Sequence, residues 1–115
     1  MVSNKEKNFI SAVIYVNNNE KEIHGFLDDI YNTLEKVFNK FEIVIVNDYS
    51  TDNTVQIVKD FASNKKSAVI SIVNMSFYQG LEAAMNAGVN LAIGDFVYEF
   101  DNVHKDYDDK VVLDI

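Results

Sequence analysis

The chain has 115 residues, enough for one compact domain and too few for two. Hydrophobic residues make up 48%, which supplies a core and argues against a disordered chain. The formal net charge of -8 opposes DNA, RNA and anionic lipid as partners, and the absence of cysteine excludes disulfides, thiolate catalysis and cysteine-bound zinc.

Met1 to Asn8 is polar and reads as a tail rather than a signal peptide, so the domain is taken as residues 9–115. Phe9 to Val16 is a nearly continuous apolar run, as in a strand buried on both faces. From Glu20 to about Asn39, Ile23, Phe26, Leu27, Ile30, Leu34, Val37 and Phe38 form one helical stripe. A second strand is predicted near 42–47. Ser50, Thr51 and Asp52 then offer caps to a helix whose inner face is Val55, Val58, Phe61 and Ala62. A third strand near 68–73 precedes a helix marked by Leu81, Ala84, Met85, Gly88 and Ala92, whose small residues permit close approach to a sheet. Gly94 is read as its C-terminal cap, and the fourth strand lies near 95–100. His24 is expected at the surface. The acidic segment from Tyr107 to Ile115 resembles the opening of another helix.

Strands alternating with helices predict an α/β domain, a Rossmann-like parallel sheet with helices on both faces. Ligands on such sheets bind beyond the carboxyl ends of the strands. Three polar clusters fall there: Asn17 to Glu20 after strand one, Asn47 to Asp52 after strand two, and Asp101 with Asn102 after strand four. Asp48 stands just past its strand, too early to cap the next helix, and is read as an acceptor toward a base or ribose. Capping alone accounts for Ser50, Thr51 and Asp52. No P-loop, no dinucleotide-binding glycine fingerprint and no nucleophile elbow is present. A receiver-like domain with Asp48 as phosphoacceptor lacks the paired acids after strand one.

Four segments, in order, resemble family 2 glycosyltransferases. Glu42 to Thr54 is similar to that family's "EIIVVDDGSTDGT" signature, and Ser11 to Glu20 to its first strand ending in "PxYNEE". Tyr78 to Gly88 resembles its "NxGxxxAxNxG" helix, and Gly94 to Asp101 its "GDYVxxxD" strand. The resemblance implies a GT-A fold and transfer of a sugar from a UDP- or GDP-linked donor to an acceptor hydroxyl or lipid phosphate. It implies that Asp48 contacts the donor base, that Asn18 and Glu20 lie near the nucleoside, and that Asp101 helps hold Mg²⁺ or Mn²⁺ on the diphosphate. A hard cation with oxygen ligands would neutralise the charge gained by the leaving diphosphate.

The chain departs from the pattern at several places. Tyr15 replaces the family's proline, and Asn17 a tyrosine that often packs on the base. Tyr49 replaces a glycine, Tyr78 an asparagine, and Met85 an arginine common in members. Val103 stands at the second position of the DxD motif; His104 and Asp106 lie near enough to substitute, although a lone histidine in an acidic tail is more often just solvated. These changes support an alternative, a degenerate, non-catalytic nucleotide-binding or scaffolding domain of the same fold. Further expectations are a fragment that lacks the acceptor half and its catalytic base, self-association through an open sheet edge, and a cytoplasmic setting. Any membrane contact would come through segments outside this sequence.

Overall fold

The computed structural model describes residues 6–65 and 69–103. The elements are β1 (Glu6–Val16), α1 (Ile23–Val37), β2 (Phe38–Asn47), α2 (Thr54–Ser63), β3 (Val69–Asn74), α3 (Leu81–Leu91) and β4 (Phe96–Phe100). All four strands are parallel, in the order β3-β2-β1-β4. The chain steps outward from β1 to β3, then returns past β1 to add β4. The order therefore reverses at β1, where a crevice opens at the strand tips.

Alternation along the two central strands decides which face each helix covers. Ile10, Ala12, Ile14 and Val16 of β1, with Phe41, Ile43 and Ile45 of β2, pack with α1 and α2 residues, among them Phe26, Leu27, Leu34 and Phe61. Val13, Val44 and Val46 point the opposite way, against Ala84 and Met85 of α3. Gly88 lets α3 sit this close: a Cβ there would lie 2.3 Å from Val46 Cγ2 and 2.7 Å from Val13 Cγ1. The small-residue reading of this helix is thus borne out.

Element boundaries differ from the sequence reading in three places. β1 begins at Glu6, so residues 6–8 belong to the sheet and not to a tail. β2 begins at Phe38, which the helical stripe had claimed; its ring is buried and its backbone already extended. α3 ends at Leu91 with Ala92 as its cap, so Gly94 caps nothing. Gly94 is instead a point of contact. A Cβ there would meet Ser11 Oγ at 2.6 Å, Ser11 N at 2.8 Å and Phe9 O at 2.9 Å.

A buried polar pair holds this crossing. Ser11 Oγ donates to Glu42 Oε2 at 2.5 Å and accepts the Gly94 N–H at 2.8 Å. The Ile93 N–H donates to the same Glu42 oxygen at 2.8 Å. The Asp95 N–H reaches Phe9 O at 2.6 Å, and the Phe9 N–H reaches Asp95 Oδ2 at 2.9 Å. Burial of Ser11 and Glu42 is tolerable because each is hydrogen-bonded. Together they lead the α3–β4 connection onto the sheet and set where the tip of β4 ends.

His24 is exposed as expected, edge-on to Phe61 at 5.9 Å between ring centroids. His104, Asp106 and the segment from Tyr107 onward lie outside the described residues.

Candidate functional site at the strand tips

The loop after β1 and the loop after β2 are tied together by reciprocal hydrogen bonds. Asn18 has φ 54°, a conformation its short amide tolerates. There its Oδ1 accepts the Thr51 N–H at 2.7 Å and the Asp52 N–H at 3.3 Å, while its own N–H donates to Ser50 Oγ at 2.9 Å. The Glu20 N–H donates to Asp52 Oδ2 at 3.1 Å, and Glu20 Oε1 accepts the Asn53 N–H at 2.9 Å. The Asn19 N–H donates to Thr54 Oγ1 at 2.8 Å.

This lattice corrects the capping assignment. Ser50 and Thr51 bind Asn18 rather than the start of α2. Only Asp52 serves the helix: its Oδ1 accepts the N–H of Thr54 at 3.0 Å and its hydroxyl at 2.6 Å. Burial pushes the Asp52 carboxyl up, but the bonds from Thr54 and the Glu20 N–H outweigh it and hold the group below its ordinary value. A depressed carboxylate stabilises the fold at neutral pH, and that contribution fades as pH falls through its range.

Asp48 is fully buried, and its carboxylate does not face an open nucleoside pocket as expected. Oδ1 accepts the Gln79 N–H at 2.7 Å, and Oδ2 accepts the Gly80 N–H at 2.8 Å and the Tyr15 hydroxyl at 2.7 Å. The two amide donors precede α3, whose Gly80 cap has φ 91°. Asp48 therefore fixes the entrance of α3 against the tip of β2. Burial, and then the bond to the Asp48 carboxylate, drive the Tyr15 hydroxyl well above its ordinary pKa, so it remains a donor. Asn17 is also committed: its Nδ2 donates to the Asp48 carbonyl at 2.6 Å, and its N–H to Asn19 Oδ1 at 2.7 Å. The sequence reading missed the roles of Tyr15 and of the Gln79 and Gly80 amides. The only signal was Tyr15 standing where the resembled family has proline.

Asp101 is exposed at the tip of β4. It lines an open cleft of about 1000 Å³ between β4 and α3, together with Glu99, Gln79, Gly80, Glu82 and Met85. Because the strands are parallel, the four residues singled out from the sequence all follow strand ends at one edge of the sheet: Asn18 and Glu20 in the loop lattice, Asp48 buried at the tip of β2, and Asp101 exposed at the tip of β4 in the cleft that Gln79 and Gly80 share.

Val103 is fully buried in the α1-side core with Phe100, so it is a packing residue. Among the described residues no group of three or more acidic, histidine or cysteine side chains is arranged to hold a metal ion. A magnesium or manganese ion would find the Asp101 carboxylate and no side-chain oxygen at position 103, so the described residues do not make a metal site by themselves.

Comparison with known proteins agrees with this architecture. Undecaprenyl-phosphate 4-deoxy-4-formamido-L-arabinose transferase of Proteus mirabilis (strain HI4320) is 31% identical over 94 residues, covering 82% of this chain and 28% of the relative. The chain therefore spans little more than a quarter of that protein. Mannosyltransferase PcManGT from Pyrobaculum calidifontis, solved in complex with GDP-Man and Mn²⁺, superposes with a TM-score of 0.74 at 24% identity, over 84% of this chain and 28% of that one. S. aureus TarS 1-349 in complex with UDP-GlcNAc gives 0.66 at 25% identity, over 82% and 26%. Residues 11–105 match the model of Glycosyl transferase family 2. By that match, which spans most of its length, and by its parallel sheet superposing on these glycosyltransferases, the chain belongs to glycosyl transferase family 2 and has the GT-A fold.

Proposed function

We propose that this chain binds a nucleoside-diphosphate sugar, UDP- or GDP-linked, along the rim formed by the loops after β1, β2 and β4. The observation that carries this reading is the latch of Asn18 and Glu20 onto residues 50–53, which joins the loops after β1 and β2 into one ledge at the same edge of the sheet as Asp101. The nucleoside rests on that ledge. The diphosphate lies over the first turn of α3, where N–H groups after Gly80 and the helix dipole favour negative charge. The sugar extends toward Glu99 and Asp101. Asp48 supports the site from below by holding the α3 entrance.

In the whole protein this arrangement presents a sugar for transfer to an acceptor hydroxyl or a lipid phosphate. The lipid-phosphate reading is supported by the name of the Proteus relative, and with it goes a setting at the cytoplasmic membrane face for the whole protein as part of this proposal. No helix among the described residues is long and apolar enough to cross a membrane. Transfer is assigned to the whole protein, whose relatives are several times longer than this chain; the chain alone is expected to bind donor without turning it over. A second reading, a binding or scaffolding domain without catalysis, is favoured by the burial of Val103.

Thermal shift with UDP- and GDP-sugars, each with and without Mn²⁺, tests the proposal. A ligand at about 100 times its Kd adds about 2.7 kcal/mol, enough to raise the Tm by roughly 10 °C or more in a domain of this size. A clear rise with at least one donor, only weakly dependent on Mn²⁺, is expected. No rise with any donor would contradict nucleotide binding and leave the scaffold reading.

A further inference from the structure

The nucleotide reading leaves open how the base is recognised. The Asp48 carboxylate is fully buried and its oxygens are engaged by three donors from within the chain, so it presents no exposed oxygen to a base edge. Asn17 occupies the place of a family tyrosine, and its amide is tied to the Asp48 carbonyl.

Aromatic side chains stand exposed on either side of Asp48 instead. Tyr49 follows it directly and is 52% exposed; Tyr78 precedes Gln79 and is 61% exposed. The Tyr78 side chain comes close to the hydroxyl of Tyr15, the residue that also holds Asp48, while most of its ring remains exposed. Tyr49 has φ 61°, a left-handed conformation costly for a bulky residue and free of cost for glycine. A half-exposed tyrosine gains less from packing to offset that strain than a buried one, and strain of this kind collects at ligand sites.

We propose that Tyr78, with Tyr49, grips the nucleobase by its faces, and that the site therefore tolerates different bases. Every base offers a π face, whereas a carboxylate reads only a donor edge.

Titration of the full chain with UDP, CDP, GDP and ADP by isothermal calorimetry tests this. The four affinities are expected to fall within roughly tenfold of one another, and Tyr78→Ala to weaken all of them in parallel by about tenfold. Tyr78→Phe, which keeps the ring, retains most of the affinity. Tyr49→Gly is expected to raise the Tm by a few degrees while weakening binding, a pairing that a purely structural tyrosine would not give. A preference of about a hundredfold for one base, or full affinity in Tyr78→Ala, would overturn the stacking inference and leave nucleotide binding intact. Absence of binding by the unaltered chain to all four would overturn the nucleotide reading itself, and this inference with it.

Discussion

Asp48→Ala is expected to lower stability by about 3–5 kcal/mol, enough to leave a domain of this size marginally folded. The substitution removes one charged acceptor from three donors at once: the Gln79 and Gly80 amides and the Tyr15 hydroxyl. Each such bond is short and charge-assisted, and the donors left behind have no other acceptor in place. Asp48→Asn is expected to fall between, because its amide keeps one accepting oxygen and turns a donating NH₂ toward the remaining N–H. Urea unfolding gives the loss, and hydrogen exchange shows its place: the amides of Gln79 and Gly80 should lose protection first. A cost below about 1 kcal/mol, with those amides still protected, would show that Asp48 does not hold the α3 entrance.

The second large effect concerns the position at which the family motif calls for a carboxylate. Restoring it by Val103→Asp is expected to cost several kcal/mol and to create no metal site. Val103 has no exposed surface and belongs to the core that includes Phe100, whose ring meets Phe26 edge-on at 5.6 Å. A carboxylate there would lose its hydration without gaining a partner, and the group would be protonated or expelled. Thermal unfolding with and without Mn²⁺ measures the effect. Manganese should return none of the lost stability. Recovery of most of it would mean that position 103 reaches the cleft after all.

Much of the fold could be read from the sequence because its signals are local. The apolar run from Phe9 to Val16 and the short run from Ile43 to Val46 are strands buried on both faces, and no other element accommodates them so well. The small residues Ala84 and Gly88 announced a helix packed close to the sheet, as the Val13 and Val46 contacts show. Gly94 was misread because a glycine needed for close approach and one needed for a helix cap look alike in sequence. Phe38 was misread because one apolar residue suits the end of a helical stripe as well as the start of a strand.

The site was legible in position and not in orientation. Asp48 was marked by where it stands, beyond a buried strand. Two of its three partners, however, are backbone amides about thirty residues away, which carry no side-chain signature. Ser50 and Thr51 are suitable helix caps, and only the fold brings Asn18 near enough to claim them. The Ser11–Glu42 pair escaped notice for the same reason, since neither residue suggests a buried contact until β1 and β2 are laid side by side.

The central claim is that the latched strand tips form the nucleotide site. Backbone-amide NMR during titration with a nucleoside diphosphate tests it most directly. The largest shifts are expected in residues 17–20, 49–53 and 77–83, with a smaller change at Asp101. Shifts confined instead to the groove of His24, Asp28, Asp60 and Lys65 between α1 and α2 would contradict it, as would an unchanged rim at saturating ligand.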